Sequence, residues 1–158
     1  MQQAIGVKLI NFKPMTRLEY NQFRGWELPV DENGGDEGYL VEYIDGGKAN
    51  TSQFTGYVSW SPKDVFIRAY RLTTGMSFGL AIEAMKKGFK VARSGWNGKG
   101  MHVYLEEGRH LPLAAGIEKG TTRKYDPVIC MYTAQGTHQP GWLASQADIL
   151  AEDWEIVQ

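Results

Sequence analysis

The sequence contains one cysteine and three histidines among its 158 residues, and it has no long apolar run. The lone Cys130 cannot form a disulfide within the chain or belong to a multi-cysteine metal site, and its apolar neighbours predict a buried strand position. No stretch approaches the ~20 apolar residues that span a membrane, and the first residues lack a secretory signal pattern. We therefore expect a cytoplasmic protein that contacts no membrane and holds no metal or cofactor.

An excess of charge of either sign is also missing. The 17 Lys and Arg residues and the 18 Asp and Glu residues leave a net charge of −1, and they are interspersed. A non-specific nucleic-acid binder needs a basic stripe that replaces counterions along the phosphate backbone. The composition thus argues against a nucleic-acid polymer as partner, whereas a small anionic ligand needs only a few well-aimed cations.

The order of the predicted elements indicates an α+β fold of two small modules, residues 1–72 and 73–158. Each module is expected to be a twisted antiparallel sheet with one or two short helices. A short polar stretch, Thr73–Gly75, forms the junction between them.

In the first module, a capping-box pattern of Thr16 with Glu19 predicts one helix start, and Ser61 before Pro62 predicts another. The second helix is expected to bury one face, formed by Val65, Phe66 and Ala69. Alternating apolar residues predict strands over residues 4–12, 39–44 and 57–60.

The second module is organised around residues 76–97. Ser77 is the predicted cap of an amphipathic helix that Gly88 ends, and a strand over residues 89–93 follows. That strand leads into a glycine-flanked loop that presents Trp96. Further strands are predicted over residues 101–105, 128–133 and 152–157, and a short helix after residue 142.

Signatures of catalysis are weak in the residues themselves. The histidines lack the His-Glu-x-x-His spacing and a cysteine partner; they are His102, His110 and His138. Walker lysine loops and G-x-S-x-G elbows are also missing. The acids of the last strand alternate, so adjacent ones are expected on opposite faces; they are Glu152, Asp153 and Glu155.

Two tryptophans beside glycines, Trp96 and Trp142, are the stronger signal. Stacking a base on an aromatic side chain contributes roughly 1 to 3 kcal/mol and works for every base. Side chains nearby in sequence can read a base edge or ribose, namely Asn97, Gln146 and Asp148, or meet phosphates, namely Arg93, Lys99 and Arg123. Equally, both tryptophans can be half-buried packing residues.

Two motifs of the second half agree in order and spacing with one family. The first runs from Met76 to Met101 and includes Gly95-Trp96-Asn97-Gly98-Lys99-Gly100, and the second runs from Trp142 to Trp154. Together they resemble the phage family of Thoeris anti-defence protein 2. The resemblance covers roughly the last half of the chain.

The resemblance implies a sponge in the cytoplasm of an infected bacterium. Such a protein binds the cyclic ADP-ribose-type signal of Thoeris defence, glyco-cyclic ADP-ribose, and holds it without cleaving it. Some family members also bind cyclic dinucleotides at a separate site, and the family forms homotetramers with pockets between subunits. Carried over, Trp96 and Trp142 stack on the ligand, and the pocket is completed by Asn97, Met101, Ser145 and Asp148.

The first half departs from that family. Residues 15–27 and 37–43 resemble a domain of other phage proteins whose function is unknown. Because an added module can block or extend an interface between subunits, the first half leaves undecided whether this chain forms the tetramer of the family.

Two alternatives to a sponge also remain. One is an enzyme that cleaves the signal, with Asp148, Glu152 or His138 as its acid or base. The other is a structural or host-interaction phage protein whose aromatic residues form core.

Overall fold

The computed structural model describes residues 1–108, 110–112 and 122–157, with the backbone alone at residues 110–112 and 122–123. The chain forms two compact units, Met1–Arg71 and Leu72–Gln158. Each unit contains an antiparallel sheet with short helices, which confirms the predicted α+β class.

The first unit is a three-stranded antiparallel sheet in the order β1-β2-β3 with one helix after β1 and one after β3. Its elements are β1 (Ile10–Pro14), α1 (Arg17–Arg24), β2 (Gly38–Tyr43), β3 (Tyr57–Pro62) and α2 (Lys63–Ala69). Helix α1 begins with the predicted capping box, because the Thr16 hydroxyl accepts from the Glu19 amide and the Glu19 carboxylate accepts from the Thr16 amide.

Apolar side chains cover both faces of the central strand β2. On one face, Leu40 and Val58 are buried with Tyr20 of α1. On the other, the Tyr39 ring packs 4.2 Å from the Phe66 ring of α2. This alternation along β2 is the period of two that a sheet between two helices requires.

Two predictions for this unit are wrong. Residues 4–9 are not a strand, because β2 ends at Tyr43, directly opposite Ile10, and the ladder offers the earlier residues no antiparallel neighbour within the described chain. Ser61 does not cap α2, because it still pairs with Tyr39 in the sheet and Pro62 occupies the cap position.

The predicted inward face of α2 is also only partly correct. Phe66 is 6% exposed, whereas Val65 is 44% exposed and Ala69 faces solvent. With seven residues, the helix presents a single large side chain to the sheet.

The second unit contains a five-stranded antiparallel sheet in the order β10-β4-β5-β8-β9. A separate two-stranded sheet, β6-β7, lies between β5 and β8 along the chain. Its elements are α3 (Phe78–Lys86), β4 (Lys90–Arg93), β5 (His102–Glu106), β6 (His110–Pro112), β7 (Thr122–Lys124), β8 (Val128–Tyr132), β9 (His138–Pro140), α4 (Gln146–Ile149) and β10 (Trp154–Val157).

The core of this unit lies between α3 and one face of the sheet. Ala81 of α3, Val91 of β4, Val103 of β5 and Trp154 of β10 are all completely buried. Ser77 is the N-cap residue of α3, although its hydroxyl makes no capping hydrogen bond. Gly88 follows the helix with φ of 88°, the left-handed conformation that glycine adopts without strain.

Two further observations bear on the sequence predictions. Cys130 is 3% exposed in β8, which confirms its predicted burial in an apolar strand. Within the described ranges, no helix has the length and apolar character needed to cross a bilayer.

Candidate functional site

Three tryptophans and a phenylalanine meet at one edge of the second unit. The Trp96 ring lies 5.9 Å from Trp142 and 5.4 Å from Trp154, and Phe78 lies 5.3 Å from Trp154. The indole pairs are edge-to-face, at 70° for Trp96 with Trp142 and 75° for Trp96 with Trp154. Trp154 is completely buried, whereas Trp96 and Trp142 are half-buried, so the cluster is anchored in the core and open at its rim.

A tight turn after β4 brings Trp96 to this cluster. The Trp96 amide donates to the Arg93 carbonyl at 3.1 Å, which closes the turn over Ser94 and Gly95. A side chain at Gly95 would place its Cβ 3.0 Å from Oδ2 of Asp153, so the turn approaches this carboxylate closely and a larger residue would have to displace it slightly.

Trp142 reaches the cluster from the opposite end of the sheet. Gly141, with φ of 83°, turns the chain at the end of β9. The amides of Gly141 and Trp142 both donate to the Ile129 carbonyl of β8, each at 3.0 Å. These two bonds fix the start of the segment that carries the indole.

Asp148 connects helix α4, to which it belongs, to the aromatic cluster. One carboxylate oxygen, Oδ1, accepts from the Trp96 indole nitrogen at 3.3 Å, and the backbone carbonyl of Asp148 accepts from the Trp154 indole nitrogen at 2.9 Å. The other oxygen, Oδ2, accepts from the amide and hydroxyl of Ser145 in a capping box. A single residue therefore orients two of the three indoles.

Arg93 lies between two carboxylates at the end of β4. Its Nε and Nη2 face Asp153 at 2.8 and 3.5 Å, and its Nη1 faces Asp148 at 3.1 Å. The side chains are 21% exposed for Arg93, 13% for Asp148 and 32% for Asp153. The guanidinium is therefore directed at the protein, which leaves little of its fork for a ligand phosphate.

The ionisation of these groups follows from their contacts. Burial alone raises the pKa of Asp148, but hydrogen bonds from Ser145, Arg93 and Trp96 outweigh it and hold the pKa below its ordinary value. The bond from Arg93 lowers the pKa of Asp153, and the two carboxylates raise the pKa of Arg93. All three groups are charged at neutral pH.

The other predicted ligand residues follow the two rim tryptophans along the chain. Asn97 and Lys99 are exposed on the loop after Trp96, and Met101 is half-buried where that loop joins β5. Ser145 and Gln146 are exposed at the start of α4. The Arg123 side chain lies outside the described residues.

Sequence reasoning missed three members of this site: Phe78, Asp153 and Trp154. Phe78 lies in the predicted helix after Ser77 and Trp154 lies in the predicted last strand, yet both rings also contact the rim tryptophans. Asp153 is visible in the sequence as an acid beside Trp154, but the expectation that adjacent acids lie on opposite faces does not predict its contact with Arg93.

Of the three candidate acids or bases, Asp148 lies in the aromatic cluster, where it accepts from Trp96. In the part of the chain that the structure describes, no group of three or more His, Cys, Asp or Glu side chains is arranged to hold a metal ion. Nδ1 of His138 shares a 2.7 Å hydrogen bond with the Tyr104 hydroxyl on β5, and Glu152 is exposed. The side chain of His110 lies outside the described residues.

Comparisons with known proteins agree with these motifs. Residues 76–157 match the profile of the family described as Thoeris anti-defense 2-like domain. A curated relative, Thoeris anti-defense 2 of Bacillus phage SP01, is 40% identical over 89 residues, which cover 54% of this chain and 99% of the relative. Nearly the whole relative therefore corresponds to the second unit.

We predict that Asp148→Asn lowers the free energy of unfolding by about 2 to 3 kcal/mol at pH 7, because it weakens a charged hydrogen-bonding hub. The folded pKa of Asp148 lies below the unfolded value of about 3.9, so the carboxylate stabilises the fold fully above that value and ceases to do so as the pH falls through the folded pKa. The difference from wild type should therefore shrink between pH 5 and pH 2, roughly, in urea denaturation.

Asp64→Asn is the matched control. It removes an exposed ion pair with Arg68, whose side chains are 74% and 75% exposed, and should change the stability by less than about 1 kcal/mol. If Asp148→Asn lowered the free energy of unfolding by the same amount at pH 2 as at pH 7, the ionised carboxylate of Asp148 would not be the stabilising group.

Proposed function

Because the chain belongs to the Thoeris anti-defense 2-like family, we propose that it is a phage anti-defence sponge. It binds and sequesters, without cleaving, the cyclic ADP-ribose-type signal of Thoeris defence, glyco-cyclic ADP-ribose. The observation that carries the proposal is the pair of half-buried indoles, Trp96 and Trp142, held on a rigid core and open at the rim.

The angle between the two indoles determines how a flat ligand is held. A base sandwiched between two rings needs parallel planes roughly 7 Å apart, twice a contact distance of about 3.5 Å. Trp96 and Trp142 are inclined by 70° with their centroids 5.9 Å apart, so the base stacks on the outer face of one indole. The second indole then closes one side of the ligand.

Polar recognition falls to the exposed residues of the rim. Asn97 presents an amide for a base edge or ribose, and Lys99 presents the cation for a phosphate, with Met101 in apolar contact. Ser145 and Asp148 complete the pocket from α4, although their side chains already bond each other at 2.6 Å. Arg93 is bonded to Asp148 and Asp153, so Lys99 is the better placed of the two cations to meet a phosphate.

Several features favour holding the ligand over cleaving it. The Asp148 carboxylate accepts four hydrogen bonds and remains ionised at neutral pH, so it has no proton to donate as a general acid. A rigid aromatic surface loses little conformational freedom on binding, which favours high affinity and slow release.

We assign this activity to residues 73–158 and regard residues 1–72 as an accessory module. The segment that carries Trp142 and α4 exposes large apolar side chains; Leu143 is 89%, Ile149 42% and Leu150 75% exposed. Exposed apolar groups beside a ligand site are typical of a surface that a second subunit covers. We therefore propose a homotetramer with pockets between subunits, and cyclic dinucleotides as additional ligands at a separate site.

Calorimetric titration with glyco-cyclic ADP-ribose tests the proposal. Trp96→Ala and Trp142→Ala should each weaken binding, by about 5- to 150-fold for the indole on which the base stacks, because stacking on one ring contributes roughly 1 to 3 kcal/mol, and by less for the indole that closes the side. Trp96→Phe, which keeps a smaller aromatic face, should fall between Trp96→Ala and wild type.

Trp26→Ala is the matched control, since Trp26 is 54% exposed in the first unit, and it should bind as wild type does. Absence of binding by the wild-type protein to this signal and to cyclic dinucleotides would contradict the sponge. Unchanged affinity of Trp96→Ala and Trp142→Ala, with lowered melting temperatures, would instead indicate that these indoles only pack.

For the assembly, we expect light scattering after size exclusion to give four times the 17.7 kDa mass of one chain. Leu143→Glu should dissociate the assembly, because a charge on this 89% exposed side chain would be buried without a partner in the interface. Val30→Glu, on a fully exposed loop residue of the first unit, is the control and should leave the mass unchanged. A monomeric wild-type protein would refute the tetramer.

A further inference from the structure

Asp153 holds the turn that carries Trp96 through its backbone as well as its side chain. Its carbonyl accepts from the Ser94 amide at 3.1 Å, and its Oδ2 accepts from the Gly95 amide at 3.1 Å and from the Ser94 hydroxyl at 3.4 Å. Two successive amides of the turn are therefore fixed by one residue at the start of β10.

The same residue reaches the indole indirectly. The Asp153 carboxylate binds Arg93, Arg93 binds Oδ1 of Asp148, and this oxygen also accepts from the Trp96 indole nitrogen. The backbone and the ring of the Trp96 turn are thus held by one chain of charges, Asp153–Arg93–Asp148. These three residues come from three separate segments of the second unit.

The contacts of these three side chains face inward. Nη1 of Arg93 also donates to the Ala147 carbonyl at 3.3 Å, so each nitrogen of its guanidinium faces an oxygen of the protein. Both oxygens of Asp148 and both oxygens of Asp153 accept hydrogen bonds from the protein as well. Four of the five N–H donors of Arg93 are thereby directed at the protein, so these side chains are mainly engaged in holding the turn and α4 together.

We propose that Asp153, acting through Arg93 and Asp148, is a positioning residue that preorganises Trp96 for the ligand and does not contact the ligand itself. The inference rests on the proposed sponge function for its ligand. It adds a residue, Asp153, to the site and changes the role expected for Arg93 from a phosphate contact to a support of the indole.

A positioning residue and a contact residue affect binding kinetics differently. Loss of a positioning residue lowers the fraction of molecules whose turn is ready for the ligand, so the association rate falls while the dissociation rate of the completed complex stays the same. Loss of a direct contact raises the dissociation rate. Stopped-flow tryptophan fluorescence with glyco-cyclic ADP-ribose separates the two cases.

We expect Asp153→Ala to lower the association rate constant about tenfold or more and to change the dissociation rate constant by less than about twofold. Asp153→Asn keeps an oxygen acceptor for Gly95 and loses the charge toward Arg93, so it should lower the association rate constant less than Asp153→Ala does. It replaces Asp153→Ala in the test if that variant does not fold. Glu152→Ala, at the neighbouring exposed acid, is the matched control and should match wild type in both rates.

A ligand-free readout accompanies the kinetics. Amide hydrogen exchange over residues 94–97 should be faster in Asp153→Ala than in wild type or Glu152→Ala, because the Gly95 amide loses its carboxylate acceptor and the turn is then held at this end by the backbone bond of Ser94 alone. A raised dissociation rate with unchanged association, or unchanged rates and unchanged exchange, would overturn the positioning role.

If the wild-type protein binds no signal, the proposed function fails, and the exchange data alone then decide whether Asp153 holds the turn. Unchanged exchange in that case also overturns the inference.

Discussion

The candidate site depends on one guanidinium placed between two carboxylates. Arg93 ends β4, Asp148 lies in α4 and Asp153 precedes β10, and no backbone ladder joins α4 to the sheet at this point. The side chains are mostly buried, so the attraction is screened less than in a surface pair, and removing Arg93 would leave two neighbouring carboxylates with uncompensated charge. This ion-pair network ties the three segments that surround Trp96.

The aromatic cluster gains its rigidity from this arrangement. Trp154 fills the core, and its indole nitrogen is satisfied by the Asp148 carbonyl. Trp96 and Trp142 pack edge-to-face at the rim, where each aromatic pair contributes about 0.5 to 1.5 kcal/mol beyond the burial of its area. In the proposal, each of these two tryptophans is both a packing residue and a ligand residue. Packing against one face of the indole keeps the other face in position for the ligand.

Local signals in the sequence predicted local structure well. The capping box of Thr16 and Glu19, the left-handed Gly88 and the buried Cys130 were all readable because each depends on a few neighbouring residues. The strand over residues 4–9 failed because pairing depends on where β2 ends, and the Ser61 cap failed because β3 continues through it. For the site, the two tryptophan loops were visible, but the bonds from Arg93 to Asp148 and Asp153 join residues 55 and 60 positions apart and could not be inferred from spacing.

The central claim is that the protein holds its signal intact. The most direct measurement mixes the purified protein with an equimolar amount of glyco-cyclic ADP-ribose, incubates the complex for hours, releases the ligand by heat denaturation and identifies it by mass spectrometry. Sequestration should deplete the free signal before heating and allow quantitative recovery of the unaltered nucleotide afterwards. Recovery of a linear or hydrolysed product would contradict sequestration and place the protein among the enzymes that degrade the signal.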